Sequence, residues 1–384
     1  MRFRLRGTGV TSDLRLRATG VTTADAAFEG EGSIPRSSRG KAPERWLIYP
    51  ARVLELRLPK TVEQNDEGGF AGWQSTPLLP VYVYRLPRGL YHGQHGAVVD
   101  HQRRLLGDVL DTGPDQFSKF PPGDLLRAKT EPHFCSGDAV ALSSSQNYFL
   151  WLIKFLPRLH LVERAGVEIA NCDALFINQP LAPQLQGYLA AGLRPEALRI
   201  VKRRHFWCCR SLFVTTVGGH DVPPWAIEYL RRTFASLMPA PLLRPRSKAI
   251  YLSRRTAPRR RVLNEEAVCE YLATLGVEAI ELSERPLAEQ VEIVAQADLI
   301  IAPHGAALSN LVFAKSNARV LEIFSDAGTL KCFWILSHQL GITYHYFVAE
   351  KVPRADDSDT FDMMIPIEKL KRALDFLLRD DGVA

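Results

Sequence analysis

The chain has 384 residues, with 48 basic against 42 acidic side chains, a formal net charge of +6, and 46% apolar residues. That length exceeds one ordinary hydrophobic core and predicts two domains, while the small basic excess suits anionic ligands without demanding nucleic acid. No apolar run reaches the roughly 18 residues of a membrane helix, and the basic start MRFRLRGTGV has no apolar core behind it, which argues against a secretory signal.

Residues 1–44 are rich in Arg, Gly, Ser and Thr, and RLRGTGVTSD from Arg4 is echoed by RLRATGVTTAD from Arg15. Two copies are too few for a solenoid, so this stretch reads as a disordered tail or as sequence upstream of the true start. From Trp46, short β-like runs such as RVLELRL and VYVYRL are punctuated by Pro and Gly. A helical pattern, SQNYFLWLIKFLPRLHLVERAG, follows and ends at Gly166, with Pro157 expected to kink it. DALFIN and SLFVTT read as further strands, so residues 45–235 predict a mixed α/β domain.

The Pro-rich run SLMPAPLLRPRS, residues 236–247, reads as an interdomain linker. Beyond it, residues 248–384 alternate cleanly. KAIYLS, VEAIEL, DLIIAPH, ARVLEIF and ITYHYF read as strands. Between them lie helical patterns, including NEEAVCEYLATLG with Asn264 as cap, and IEKLKRALDFLLRD closes the chain as an amphipathic helix. Such alternation predicts a parallel, doubly wound sheet.

Four segments carry chemistry. In IIAPHGAALSN, a buried strand would deliver His304 and Gly305 to the crevice where such sheets bind ligands. Gly305, Ala306 and Ala307 leave backbone N–H groups open to a phosphate at a helix start, with Asn310 one turn on. A small-residue turn with a satisfied histidine is the plainer alternative. The run from Arg244 to Arg261 holds eight basic and no acidic side chains. It reads as a solvated face, as a nucleic-acid patch, or as an anion site formed where Arg254 and Arg255 meet the strand's C-terminal end. Guanidinium forks suit a diphosphate, and the run holds no stacking aromatic beyond Tyr251, which strand alternation places inside.

Glu322, in ARVLEIF, is a candidate acceptor for ribose hydroxyls or else a solvated strand-end acid. Asn147, Leu150 or Trp151, Lys154 and Arg158 recur at helical spacing and would share one face, suited to a sugar or phosphate or simply to solvent. The DSD at Asp357–Asp359 matches a short metal-binding pattern of sugar transferases, but its loop context favours plain solvation. No nucleophile elbow, Walker loop, HExxH or zinc spacing occurs. The six cysteines include no CxxC and read as buried free thiols of a reducing compartment.

The runs YLSRRTAPRRRVLNEEAV and PLAEQVEIVAQADLIIAPHGAALSNLVFAKSNARVLEIF, with NYFLWLIKFLPRL upstream, resemble glycosyltransferase family 61 in order, spacing and residue type. The resemblance implies a GT-B architecture: two Rossmann-like α/β domains facing a cleft, the second holding the nucleotide-sugar. It also implies an inverting, metal-free transfer, with a nucleotide diphosphate sugar, uridine-linked by expectation, as donor substrate rather than cofactor. A glycan or lipid-linked hydroxyl would accept the sugar, as in bacterial polysaccharide synthesis.

Ser253, Arg254 and Arg255 match the family's phosphate-side loop. His304, Gly305, Ala306, Leu308 and Asn310 match its signature turn, and Glu322 the acidic position that follows. Asn147, Trp151 and Arg158 match the upstream helix and, with His304, are the catalytic candidates. At the positions where the family carries a His and an acid, this chain has Leu150 and Lys154. The general base is thus unassigned, Asp138 and Glu163 being the nearest acids, and a weakly active nucleotide-sugar-binding protein is the alternative. The absences of leader and span point to the cytoplasm, and the closing helix leaves peripheral contact with a membrane surface open.

Overall fold

A computed structural model describes residues 21–22, 44–63, 69–92, 96–100, 105–106, 109, 133–142, 146–202, 206–216, 222–239, 248–325, 330–354 and 361–379. The duplicated N-terminal stretch apart from Val21–Thr22, the 240–247 part of the Pro-rich segment and the DSD at Asp357–Asp359 lie outside these residues. The described residues are mixed α/β and fall into two compact units. The first gathers those within 1–51, 79–181 and 188–219, and the second those within 52–78, 182–187 and 220–384. All six cysteines are free, four of them buried. Among the described residues no helix is long and apolar enough to cross a membrane.

The first unit is built on a mixed sheet. His133–Ala141 runs parallel to both Phe206–Thr215 and Ala174–Ile177, and the latter is parallel to Leu198–Ile200. Phe206–Thr215 then pairs antiparallel with Val81–Pro87 and Leu90–His92. Strands rich in aromatic and β-branched residues bury one face, where Tyr91 stacks on Phe176 with ring centroids 4.9 Å apart.

The helical pattern after residue 145 departs from its expected form. Asn147 Oδ1 accepts the Leu150 N–H at 3.1 Å, as a helix cap does. The helix then widens into a π-helix over Leu150–Phe155, where the Leu156 N–H donates to the Trp151 carbonyl five residues back at 2.9 Å. Pro157, with no N–H to give, follows this wide turn, and α-helix resumes at Arg158–Arg164.

The second unit carries a six-stranded, wholly parallel sheet in the order Glu278–Ile280, Ala249–Leu252, Leu299–Pro303, Arg319–Phe324, Thr343–Val348 and Lys60–Thr61. The strands are near-continuous apolar runs because helices such as Glu265–Thr274 and Ile367–Arg379 cover them. Asn264 precedes the first of these helices, but its side chain exchanges hydrogen bonds with the backbone of Ile365 instead of capping the helix.

Residues 52–78, read from the sequence as part of the first domain, cluster with this sheet for two reasons. Lys60–Thr61 adds its last strand, and Phe70, fully buried, lies among Phe324, Trp334, Tyr344 and Tyr346 at centroid distances of 4.5–6.4 Å. Phe70→Ala would leave an aromatic-sized hole, and we expect a loss of about 3–5 kcal/mol, read as a lower urea midpoint.

Candidate functional site

The second sheet changes direction between two neighbours. From Ala249–Leu252 the chain passes first to Glu278–Ile280 on one side and then to Leu299–Pro303 on the other. Loops leaving the C-terminal ends of Ala249–Leu252 and Leu299–Pro303 therefore diverge and leave a crevice. The first supplies Ser253, Arg254 and Arg255, and the second His304, Gly305 and Ala306.

The two loops touch. A Cβ placed on Gly305 would lie 1.7 Å from Arg254 Nη1, so the guanidinium occupies the space a side chain would need. Gly305 has φ 175°, an ordinary extended conformation, so close approach and not backbone conformation favours glycine here. Arg254 is held from its other edge, Nε donating to the Arg260 carbonyl at 3.1 Å and Nη2 to that of Arg259 at 2.8 Å. Arg260 itself has φ 55°, in the left-handed region that few non-glycine residues adopt. Burial, and then the nearby Arg260 charge, pull the Arg254 pKa below the usual arginine value. Guanidinium remains the charged form throughout the physiological range.

Behind each loop stands a buried glutamate. Glu265 Oε1 accepts from the Arg254 backbone N–H at 2.8 Å and from Tyr251 Oη at 3.1 Å. Glu322, fully buried, accepts from His304 through Nδ1 and from Tyr344 through its hydroxyl. Burial, and then the charges and hydrogen bonds of these glutamates, raise both tyrosines well above the usual phenol value, so both remain donors. The bond to Glu322 fixes the His304 ring and leaves Nε2 as the nitrogen for a ligand. Phe324 and Phe333 pack beside the ring at 5.4 and 5.3 Å between centroids.

The structure thus brings Arg254, His304, Gly305 and Ala306 to one rim, with Arg255 exposed beside them and its N–H bound to Ser253 Oγ at 3.2 Å. The helix after Gly305 is a 3₁₀-helix, Ala306–Phe313, with Leu308 buried inside it. Two expectations change. Glu322 is turned inward with both oxygens occupied, so it supports His304 and does not face a ribose. Asn310 is likewise fully buried, its Nδ2 donating to Gln290 Oε1 at 3.2 Å and to the Ala307 carbonyl at 3.1 Å, so it braces the turn from within.

In the first unit, Asn147, Trp151 and Arg158 do not form the shared polar face that α-helical spacing predicts. Asn147 is exposed and caps the helix, whereas Trp151 packs against Tyr148 and Tyr188 in the core. Arg158 is buried, with Nη1 on the Leu142 carbonyl at 3.0 Å. The π turn shifts the angular phase of everything after it. Lys154 and Leu150 are half-buried on the same helix, while Asp138 lies in a strand and Glu163 is exposed.

A parallel sheet whose reversal point gathers arginine, histidine and glycine defines an α/β protein with a crevice suited to phosphate-bearing ligands. Residues 148–321 match the family model described as Glycosyltransferase 61, the family that the sequence resembles. No curated protein matches the chain.

Sequence reasoning missed Glu265, Tyr344 and Asp362, each of which acts through another residue. Asp362 anchors the far end of the Arg254 loop. Its Oδ1 accepts from the Arg261 N–H at 2.9 Å and from Arg354 Nη1 at 3.0 Å, and its Oδ2 from Arg261 Nε at 3.1 Å and Nη2 at 3.0 Å. Burial pushes the Asp362 pKa up, but the hydrogen bonds and charges of the two arginines prevail and hold it below the usual aspartate value. A pKa lowered by folding adds stability that is complete above the unfolded aspartate value of about 4. That stability is lost as pH falls through the lower, folded value. Asp362→Ala should cost about 1–3 kcal/mol at neutral pH, and the gap to wild type in denaturation experiments should narrow as the pH falls below the unfolded aspartate value of about 4.

Proposed function

We propose that the protein is an inverting glycosyltransferase that moves a sugar from a nucleotide diphosphate donor, a uridine diphosphate sugar, to the hydroxyl of a glycan or lipid-linked acceptor. The observation that carries the reading is the meeting of Arg254 with Gly305 and His304 at the reversal point of a parallel sheet. In this reading the donor sits on the second unit and the acceptor on the first, the division of labour of GT-B enzymes.

The chemistry follows from charge. As the acceptor oxygen attacks the anomeric carbon, the bond to the diphosphate breaks and negative charge grows on the leaving phosphate. In this reading Arg254, Arg255, His304 Nε2 and the N–H groups opening the 3₁₀-helix take up that charge without a metal. Prearranged donors of this kind stabilise a leaving group because they need no reorganisation during the reaction. The acceptor must also lose a proton to a base. Leu150 and Lys154 offer none, which supports a second reading in which the protein binds the donor and turns it over slowly. Paired Leu150→His and Lys154→Asp substitutions separate the two, because a large gain in transfer at unchanged donor affinity favours the second.

Calorimetry with nucleoside diphosphates and their sugars, without added metal, tests the main reading. A uridine sugar should bind wild type, and Arg254→Ala should weaken it roughly 10- to 100-fold, the worth of charge-assisted hydrogen bonds. Gly305→Ala should do the same by displacing the guanidinium, with Arg254 still present. Failure of every nucleotide to bind wild type would sink the donor-site reading.

A further inference from the structure

The strand order draws attention to an acid that the site has not used. Glu281 follows directly on the Glu278–Ile280 strand, the neighbour of Ala249–Leu252 on the side away from His304. Leu252 pairs with Ile280, and the Ser253 N–H donates to the Ile280 carbonyl at 2.9 Å, so Glu281 leaves the sheet beside the Arg254 loop. Its charge acts on the Arg254 guanidinium. Oε1 accepts from Ser283 Oγ at 2.7 Å, whereas Oε2 is buried and has no hydrogen-bond partner. A buried carboxylate oxygen in that state calls for an explanation.

The geometry points to a ligand as that explanation. In an open parallel sheet, phosphates lie at the loop after the first strand, and the sugar hydroxyls of the same nucleotide fall near the end of the strand beside it. An ionised carboxylate there can accept from a vicinal diol through the oxygen that has no other hydrogen-bond partner. Glu322 lacks that capacity, since His304 and Tyr344 occupy both of its oxygens. We propose that Glu281 is the residue that recognises the ribose of the donor nucleotide, its Oε2 accepting from the 2′- or 3′-hydroxyl while the diphosphate lies against Arg254 and His304. This assignment rests on the donor-site reading and makes the site selective for ribonucleotides.

Calorimetry with uridine diphosphate and 2′,3′-dideoxyuridine diphosphate tests it on wild type, Glu281→Gln and Arg254→Ala. Wild type should prefer the ribose form by about tenfold or more, the worth of a hydrogen bond to a charged group. That comparison requires no variant to fold. Glu281→Gln should weaken the ribose form alone and bring the two ligands together. Arg254→Ala should weaken both by a common factor and keep their ratio. Equal binding of the two ligands to wild type, or a ribose preference that survives Glu281→Gln, overturns the assignment of Glu281 and leaves the diphosphate site standing. Absence of binding by either ligand to wild type overturns both.

Discussion

A carboxylate removed from water is costly unless its oxygens are paired, so a fully buried Glu322 dictates what surrounds it. His304 and Tyr344 satisfy it, and in doing so they lose their freedom to turn. Glu265 does the same for the Arg254 loop, again with a tyrosine hydroxyl as its second donor. Each strand-end loop of the crevice is thus pinned by a glutamate behind it. The cation and the imidazole that face the crevice are held in place before any ligand arrives, which is the condition for electrostatic work in a site.

Much of this was readable from the residues. The parallel sheet announced itself because strands covered on both faces are apolar throughout, and because helices separate them at regular intervals. Arg254, His304 and Gly305 were legible as crevice residues for the same reason: each falls where an apolar run stops. Glu322 was not, since an acid near a strand end looks the same whether it faces solvent or two buried donors. Deciding between those needs Tyr344, more than twenty residues away in sequence. Glu281 was hidden among many surface acids until the strand order set it beside Ser253.

The helix after residue 145 resisted for another reason. Spacing arguments assume about 3.6 residues per turn. A bond from residue 156 back to residue 151 breaks that assumption, and no residue type announces it. Arg158, beyond that bond, turns into the core, whereas Trp151 lies before it at ordinary α-helical spacing from Asn147 and is buried by its own packing. Inserted turns of this sort often mark places where function has reshaped a helix.

The two-residue strand Lys60–Thr61 has a bearing on how the protein can be divided. A fragment cut at the Pro-rich segment and beginning near residue 248 would contain every crevice residue, and would look like a self-sufficient nucleotide-binding module. It would nevertheless lack the outer neighbour of Thr343–Val348 and the ring of Phe70. An uncovered parallel strand and an open aromatic hollow on one side are an invitation to self-association. The unit that carries the crevice is therefore not modular in sequence, because it borrows its border from residues almost two hundred positions upstream.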